Sequence, residues 1–321
     1  MVDLLSLIKD TRAYKTVAAD IAANRLSHAY LIVSSDKRFS GEYLKIFAKL
    51  IMTGFSGGRA DSLIDLGYHP DVLNFPKNGE TVLKEDVAKI IEESYLKPVE
   101  SDKKLFLINN GESMNASSQN KLLKTLEEPP AGVHILITAL SEYPLLSTFK
   151  SRVKKLVIPP YPAEKLINAL KSECVDGERL ENAVYCGDGT AGTALSLYGD
   201  ENLAATIDAA VDTFLNMRTS RDVLEFSDKI MKFKDGVKGF ISVAELINRD
   251  LTVYANGGTV KNPSLFKRVQ KAMGFSDGAL IYIADRISDA KRRLLANGNP
   301  QAVLEKLLFA ILEGKHKWRK L

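Results

Sequence analysis

From residue 29 to residue 158 the chain alternates between two hydrophobic periods. Short apolar runs at 29–33, 72–75, 105–109, 133–138 and 154–158 have the length of buried strands. Between them lie segments with apolar residues at helical spacing. Residues 41–52 form one such segment. Residues 84–96 carry Val87, Ile90, Ile91 and Tyr95 on one face, and residues 115–128 carry Leu122, Leu123 and Leu126. Strands that are apolar throughout, separated by helices, predict a parallel sheet covered on both faces. A Gly-rich excursion over 53–68 precedes the second strand and reads as a place where an insertion is tolerated.

The run Pro159-Pro160-Tyr161-Pro162 ends this pattern, because closely spaced prolines force an extended connection. A small helical unit follows over 163–198, broken by Gly187, Gly189 and Gly192. From residue 202 every pattern is helical. Phe240, Val243, Ala244, Ile247 and Leu251 share a face, as do Leu280, Ile283, Ala284, Ile287 and Leu294, and then Val303, Leu304, Leu307, Leu308 and Ile311. Asn297-Gly298-Asn299-Pro300 is a stop-then-start signal between the last two helices. The expected organisation is an α/β domain over 1–158, a small helical domain over 159–201 and an all-α domain over 202–321.

Composition narrows the classes. The 321 residues are 45% hydrophobic and 26% charged, ordinary for a globular protein with a proper core. A net charge of +4 is too weak by itself to argue for nucleic acid. Lys315, Lys317, Arg319 and Lys320 cluster around Trp318 and read as a solvated terminus. With only Cys174 and Cys186, no disulfide framework is indicated. The start lacks a signal-peptide pattern, and no apolar run approaches the roughly 20 residues of a membrane span. A cytoplasmic location is the expectation.

The segment QNKLLKTLEEPP, 119–130, closes the third helix, since neither Pro129 nor Pro130 can donate a backbone N–H. Strand 133–138 follows, and then Leu145-Leu146-Ser147-Thr148 and Ser151-Arg152. Together these blocks closely resemble the clamp-loader branch of the AAA+ ATPases. Within that branch they are most similar to the delta-prime family of bacterial DNA polymerase III. The resemblance is strongest over 26–158. It implies a degenerate P-loop NTPase-like domain, a helical lid over 159–201 and an oligomerising collar over 202–321.

An ATP-binding member of that branch needs glycines for a phosphate cradle, a lysine for the β/γ-phosphates and a hydroxyl for magnesium. Set against the GxxxxGK[ST] pattern, Ser34 and Phe39 stand for the glycines, Ser40 for the lysine and Gly41 for the magnesium ligand. Where relatives carry Asp-Glu after the third strand, this chain has Asn109-Asn110, with Glu112 beyond. Gly192 lies where a lid arginine would sense nucleotide. The resemblance therefore implies a subunit that binds no nucleotide cofactor and is not itself an enzyme.

Arg152, with Ser151 as its motif partner, matches the arginine that clamp-loader subunits extend toward ATP bound in a neighbour. Ser147 replaces the family's proline and Val153 its cysteine. A planar, permanently charged guanidinium there neutralises charge on the transferring phosphoryl group. In other phosphoryl-transfer enzymes such a finger is worth about 10³–10⁵ in rate. The implied partners are gamma/tau-like ATPase subunits and a clamp-opening delta-like subunit, with the sliding clamp and primed DNA met through the complex.

The four-cysteine zinc module of many relatives is missing, because 54–68 holds no cysteine before His69-Pro70-Asp71. Cys174 and Cys186 read as packing residues. His28, in Ser27-His28-Ala29-Tyr30, reads as structural. Glu127 and Glu128 are neighbours on a helix and point apart, so they cannot act as an acid–base pair. Their place at a helix C-terminus is unfavourable for anions, and the pattern assigns them no role. Two other readings remain open on sequence: an active ATPase in which Lys37 and Arg38 hold phosphate, and a free-standing DNA-binding protein.

Overall fold

In the computed structural model, which describes residues 2–233, 235–272 and 275–317, the alternation becomes a five-stranded parallel sheet. The strands are β1 (Ala29–Val33), β2 (Val72–Phe75), β3 (Lys104–Ile108), β4 (Val133–Ala139) and β5 (Lys154–Val157), in the spatial order β2-β3-β4-β1-β5. Around them come α1 (Leu4–Lys9), α2 (Arg12–Ala22), α3 (Ser40–Met52), α4 (Arg59–Leu66), α5 (Lys84–Ser94), α6 (Ala116–Glu127), α7 (Ser147–Lys150) and α8 (Ala163–Leu170).

The burial explains the strand composition. Leu31, Phe106, Ile108, Ile135 and Ile137 pack on one face against Val87 and Ile90 of α5, Leu122 and Leu126 of α6, and Phe149 of α7. Their sequence neighbours Leu105, Leu107 and Leu136 alternate to the other face. There α3 packs against β3 and β4, and both sets of side chains are buried. A strand covered on both sides has no polar face to show, hence the continuous apolar runs.

Two of the departures from the sequence expectation trace to single buried or half-buried acids. The Gly-rich excursion contains α4, whose end is set by Gly67 at φ +76. Asp61 ties it down by accepting hydrogen bonds from Thr53 Oγ1 and, at 2.7 Å, from Gly57 N. The third strand begins one residue early, at Lys104, because Glu93 neutralises that lysine at 2.8 Å and lets it be buried.

The chain divides into two compact units, Met1–Glu173 with Thr190–Gly192, and Cys174–Gly189 with Thr193–Leu321. The helices of the second half are α9 (Gly177–Cys186), α10 (Ala191–Tyr198), α11 (Leu203–Asn216), α12 (Ser220–Met231), α13 (Gly236–Ala255), α14 (Pro263–Val269), α15 (Asp277–Leu295) and α16 (Pro300–Lys317). The second unit has its own core, in which Phe214, Phe240, Ile247, Ile283, Leu304 and Leu308 meet. The helical faces read from sequence supply it, except that Ala284 is exposed and Leu294 only partly buried. No described helix is long and apolar enough to cross a membrane.

Candidate functional site

In an open parallel sheet the loops at the C-terminal ends of the strands are where ligands gather. The loop from β1 to α3 lies at that end, and its sequence lacks the phosphate-binding glycines. Its centre is Asp36, which is 2% exposed. The carboxylate accepts from Phe39 N at 3.3 Å through Oδ1 and from Gly192 N at 3.0 Å through Oδ2. The Tyr43 hydroxyl approaches Oδ2 at 3.5 Å, and Tyr161 stands behind Tyr43 at the same distance. Burial, with the neighbouring Tyr161 and Asp36, pushes the Tyr43 phenol far above its ordinary value, and burial lifts Tyr161 to about 12. Both stay protonated, Tyr161 donating to Tyr43 and Tyr43 to Asp36.

A phosphate cradle offers main-chain N–H groups to an external anion. Here an internal carboxylate takes one N–H of the loop, from Phe39, and one from Gly192 in α10. The glycine at 192 is required by the approach: a Cβ there would lie 2.3 Å from Asp36 Oδ1 and 2.8 Å from Arg38 Cβ. Lys37 pairs with Glu80 at 2.9 Å, both side chains well exposed, and the Arg38 guanidinium lies 5.7 Å from the Phe39 ring centre. Ser40, in the lysine's place, donates to Lys37 O at 3.0 Å and starts α3.

The positions of the acidic pair are amides used for structure. Asn109 Oδ1 accepts from Thr138 Oγ1 at 2.7 Å, and Asn110 Nδ2 donates to Glu80 O at 3.1 Å. Glu112 sits in a short 3₁₀ turn, Gly111–Ser113, and accepts from Leu140 N at 2.9 Å.

Arg152 lies at the opposite end of the sheet. It precedes β5, level with the residue before β1, as the contact from His28 Nε2 to Arg152 O at 3.0 Å fixes. A carbonyl can only accept, so His28 carries its proton on Nε2. From His28 to Ser34 the chain runs six residues on through β1, roughly 20 Å at ~3.3 Å per residue. That is farther than an arginine side chain extends.

The local scaffold of Arg152 is short and tight. Phe149, fully buried, anchors α7 in the core, and Arg152 N donates to Phe149 O at 3.1 Å. The guanidinium donates through Nη1 to Thr148 O at 2.7 Å and to Ser151 Oγ at 3.2 Å. Nη2 pairs with Glu127 at the end of α6, the side chains about a third and a half exposed. Ser151 Oγ donates in turn to Thr148 O at 3.0 Å. Lys154 is held by Asp20 and Lys155 by Glu142, so the neighbouring lysines face their own carboxylates.

Gln119, the first residue of QNKLLKTLEEPP, was given no role by the pattern. It is buried and donates through Nε2 to Met114 O at 2.9 Å and Pro144 O at 3.3 Å, while Oε1 accepts from Leu146 N at 2.8 Å. It thereby clips α6 to the segment that carries α7 and Arg152. A glutamine in the first turn of α6, on the face that carries Leu122 and Leu126, is its sequence signal.

His69 and Asp71 serve a turn. His69 Nδ1 accepts from Asp71 N at 3.1 Å, and the Asp71 carboxylate collects Val99 N, Glu100 N and Ser101 N at 2.6–3.0 Å. Cys174 is buried, and burial pushes the Cys186 thiol up to about 12. Among the described residues no group of three or more His, Cys, Asp or Glu is placed to hold a metal ion. Lys315 is not a solvated tail residue: it is half-buried and donates to Thr213 O and Met217 O at 2.8 and 2.9 Å. Trp318, Arg319 and Lys320 lie outside the described residues.

A family model described as "DNA polymerase III, delta subunit" matches residues 9–162. The chain is 26% identical over 322 aligned positions to the DNA polymerase III subunit delta' of Bacillus subtilis (strain 168), covering 94% of this chain and 96% of that protein. It is 27% identical to the DNA polymerase III subunit delta' of Escherichia coli (strain K12), over 46% of this chain and 45% of that one. Among solved structures, a DNA polymerase III gamma subunit-related protein from Thermotoga maritima aligns over 94% of this chain and 99% of its own. The identity there is 21% and the TM-score 0.43.

Proposed function

We propose, from the premise that this chain belongs to the DNA polymerase III delta-prime family and is a clamp-loader subunit, that it completes a neighbouring subunit's ATP site while binding no nucleotide itself. The carrying observation is the separation of Arg152 from the β1–α3 loop by the full length of the sheet. An arginine so placed cannot serve its own loop, whereas a neighbour's γ-phosphate brought to that end is within reach. Asp36 supports the other half of the reading. A phosphate entering the loop would have to displace a buried carboxylate of its own sign and take over both N–H groups.

In this reading Arg152 presents a delocalised charge where negative charge spreads over the transferring oxygens, and it needs no proton transfer to do so. Ser151 holds the Nη1 side of the guanidinium. The partners are gamma/tau-like ATPase subunits and a delta-like clamp-opening subunit, joined through the helical collar of 202–321. The sliding clamp and primed DNA are met through the complex, in the cytoplasm. The alternative of an active ATPase using Lys37 and Arg38 finds less support, since Lys37 is tied to Glu80 on the surface.

The test is a reconstituted complex of this chain with the ATPase and delta-type subunits of its own organism. Arg152→Ala should leave assembly intact and slow ATP turnover at the site it serves by about 10³-fold, the low end for arginine fingers. DNA-stimulated turnover of the whole complex then falls in part, because other sites continue. Unchanged turnover would remove Arg152 from the mechanism. Micromolar Mg-ATP binding by the isolated chain would overturn the non-ATPase half.

A further inference from the structure

The carboxylate of Glu127 stands at the last helical residue of α6, where the helix dipole disfavours an anion. Its partner accounts for it. Glu127 Oε1 meets Nη2 of Arg152, on the flank opposite the Thr148 carbonyl and Ser151 hydroxyl that receive Nη1. His28 meanwhile fixes the Arg152 carbonyl. A guanidinium has five N–H donors. Both hydrogen bonds leave from Nη1, while Nη2 faces the carboxylate as an ion pair. Among the described residues the Nε–H donates to none, so the group is braced and keeps donors to offer.

We propose that Glu127 is a positioning residue for Arg152: it braces the guanidinium so that its remaining donors face an incoming phosphate. The inference rests on the reading that Arg152 reaches a neighbour's nucleotide. The LEEPP motif then supplies a helix end, a stop and the brace. Because the pair is partly exposed, its strength is that of a surface ion pair, enough to bias orientation without locking it. The gain is in preorganisation, since fewer rotamers of a long side chain are lost as the transition state forms.

The experiment compares reconstituted complexes carrying Glu127→Gln, Glu127→Asp, Arg152→Ala and the Glu127→Gln/Arg152→Ala double variant. Assembly and thermal unfolding of each chain are measured alongside ATPase kinetics. Glu127→Gln should lower kcat about two- to fivefold, the worth of an exposed pair. It should leave KM for ATP and assembly unchanged, with Glu127→Asp recovering part of the loss. On the Arg152→Ala background Glu127→Gln should add nothing, as expected of residues acting as a unit. Unchanged or raised kcat in Glu127→Gln, or an additive loss in the double variant, overturns the positioning role while Arg152→Ala still reports on the finger. If Arg152→Ala itself has no effect, the underlying reading fails, a separate and distinguishable outcome.

Discussion

A buried carboxylate must find donors, and Asp36 finds them in main-chain N–H groups from two distant parts of the chain, Phe39 and Gly192. Removing it leaves both without that acceptor, Gly192 N in a buried place and Phe39 N in a partly buried one. Asp36→Ala should therefore destabilise the protein by about 1–3 kcal/mol in urea unfolding, the cost of stranding buried polar groups. It should not create Mg-ATP binding, because Phe39 and Ser40 still occupy the glycine and lysine positions. The loss of the phosphate motif is legible at once in the sequence, since a P-loop is a local pattern. Its replacement is not, because nothing local says that Asp36 will meet a glycine 156 residues away. Glu127 was opaque for the same reason. Its position is unfavourable to the helix dipole, and the return of the chain at Arg152 supplies the compensating charge.

The edge strand β2 shows how one side chain can set an element in register. Asp71 O accepts from Leu105 N at 2.8 Å, while its carboxylate gathers the turn that leads into β3. Burial alone would raise that carboxyl. The N–H groups of Val99, Glu100 and Ser101 outweigh it and hold the group below its ordinary 3.8. A carboxyl whose folded value lies below its unfolded one stabilises the fold above the unfolded value. That contribution fades as pH falls through the folded value. Acid unfolding of the parent chain should thus steepen below about pH 4, and Asp71→Asn should flatten this limb while costing about 1.5–3 kcal/mol at pH 7. Unfolding midpoints measured from pH 2 to pH 7 would check it; parallel curves for both proteins would refute the assignment. The strands and long helices were readable because double-sided burial forces continuous apolar runs and amphipathic faces. The short α4 and α7 were not, since Asp61 and Phe149 set them through contacts beyond their own few residues.

At the scale of the molecule, 44 basic residues against 40 acidic ones invite a DNA-binding reading. Pairing changes what that surplus can do. Arg293 and Lys306 both reach Asp289, Arg268 reaches Asp208, and Lys291 reaches Glu245. Asp289, drawn first by Arg293 and then by Lys306, is held down at about 2 and stays ionised at every working pH. Cations already facing carboxylates release few counterions from DNA, and counterion release is what makes such binding strong and salt-dependent. The charge count is legible in the sequence, but its cancellation depends on which helices lie side by side. The isolated chain should therefore bind primed duplex DNA no better than about 10⁻⁴–10⁻⁶ M near physiological salt, the nonspecific range. Its log K should fall with log salt by a slope of only about 1–3, against about 10 for a protein making many phosphate contacts. Fluorescence anisotropy across a salt series measures both quantities. A nanomolar affinity or a slope near 10 would show a dedicated DNA surface on the lone subunit and favour the free-standing reading. The shallow slope, joined to tight DNA binding once the ATPase partners are added, would place DNA recognition in the assembly and leave this chain the task its arginine fits.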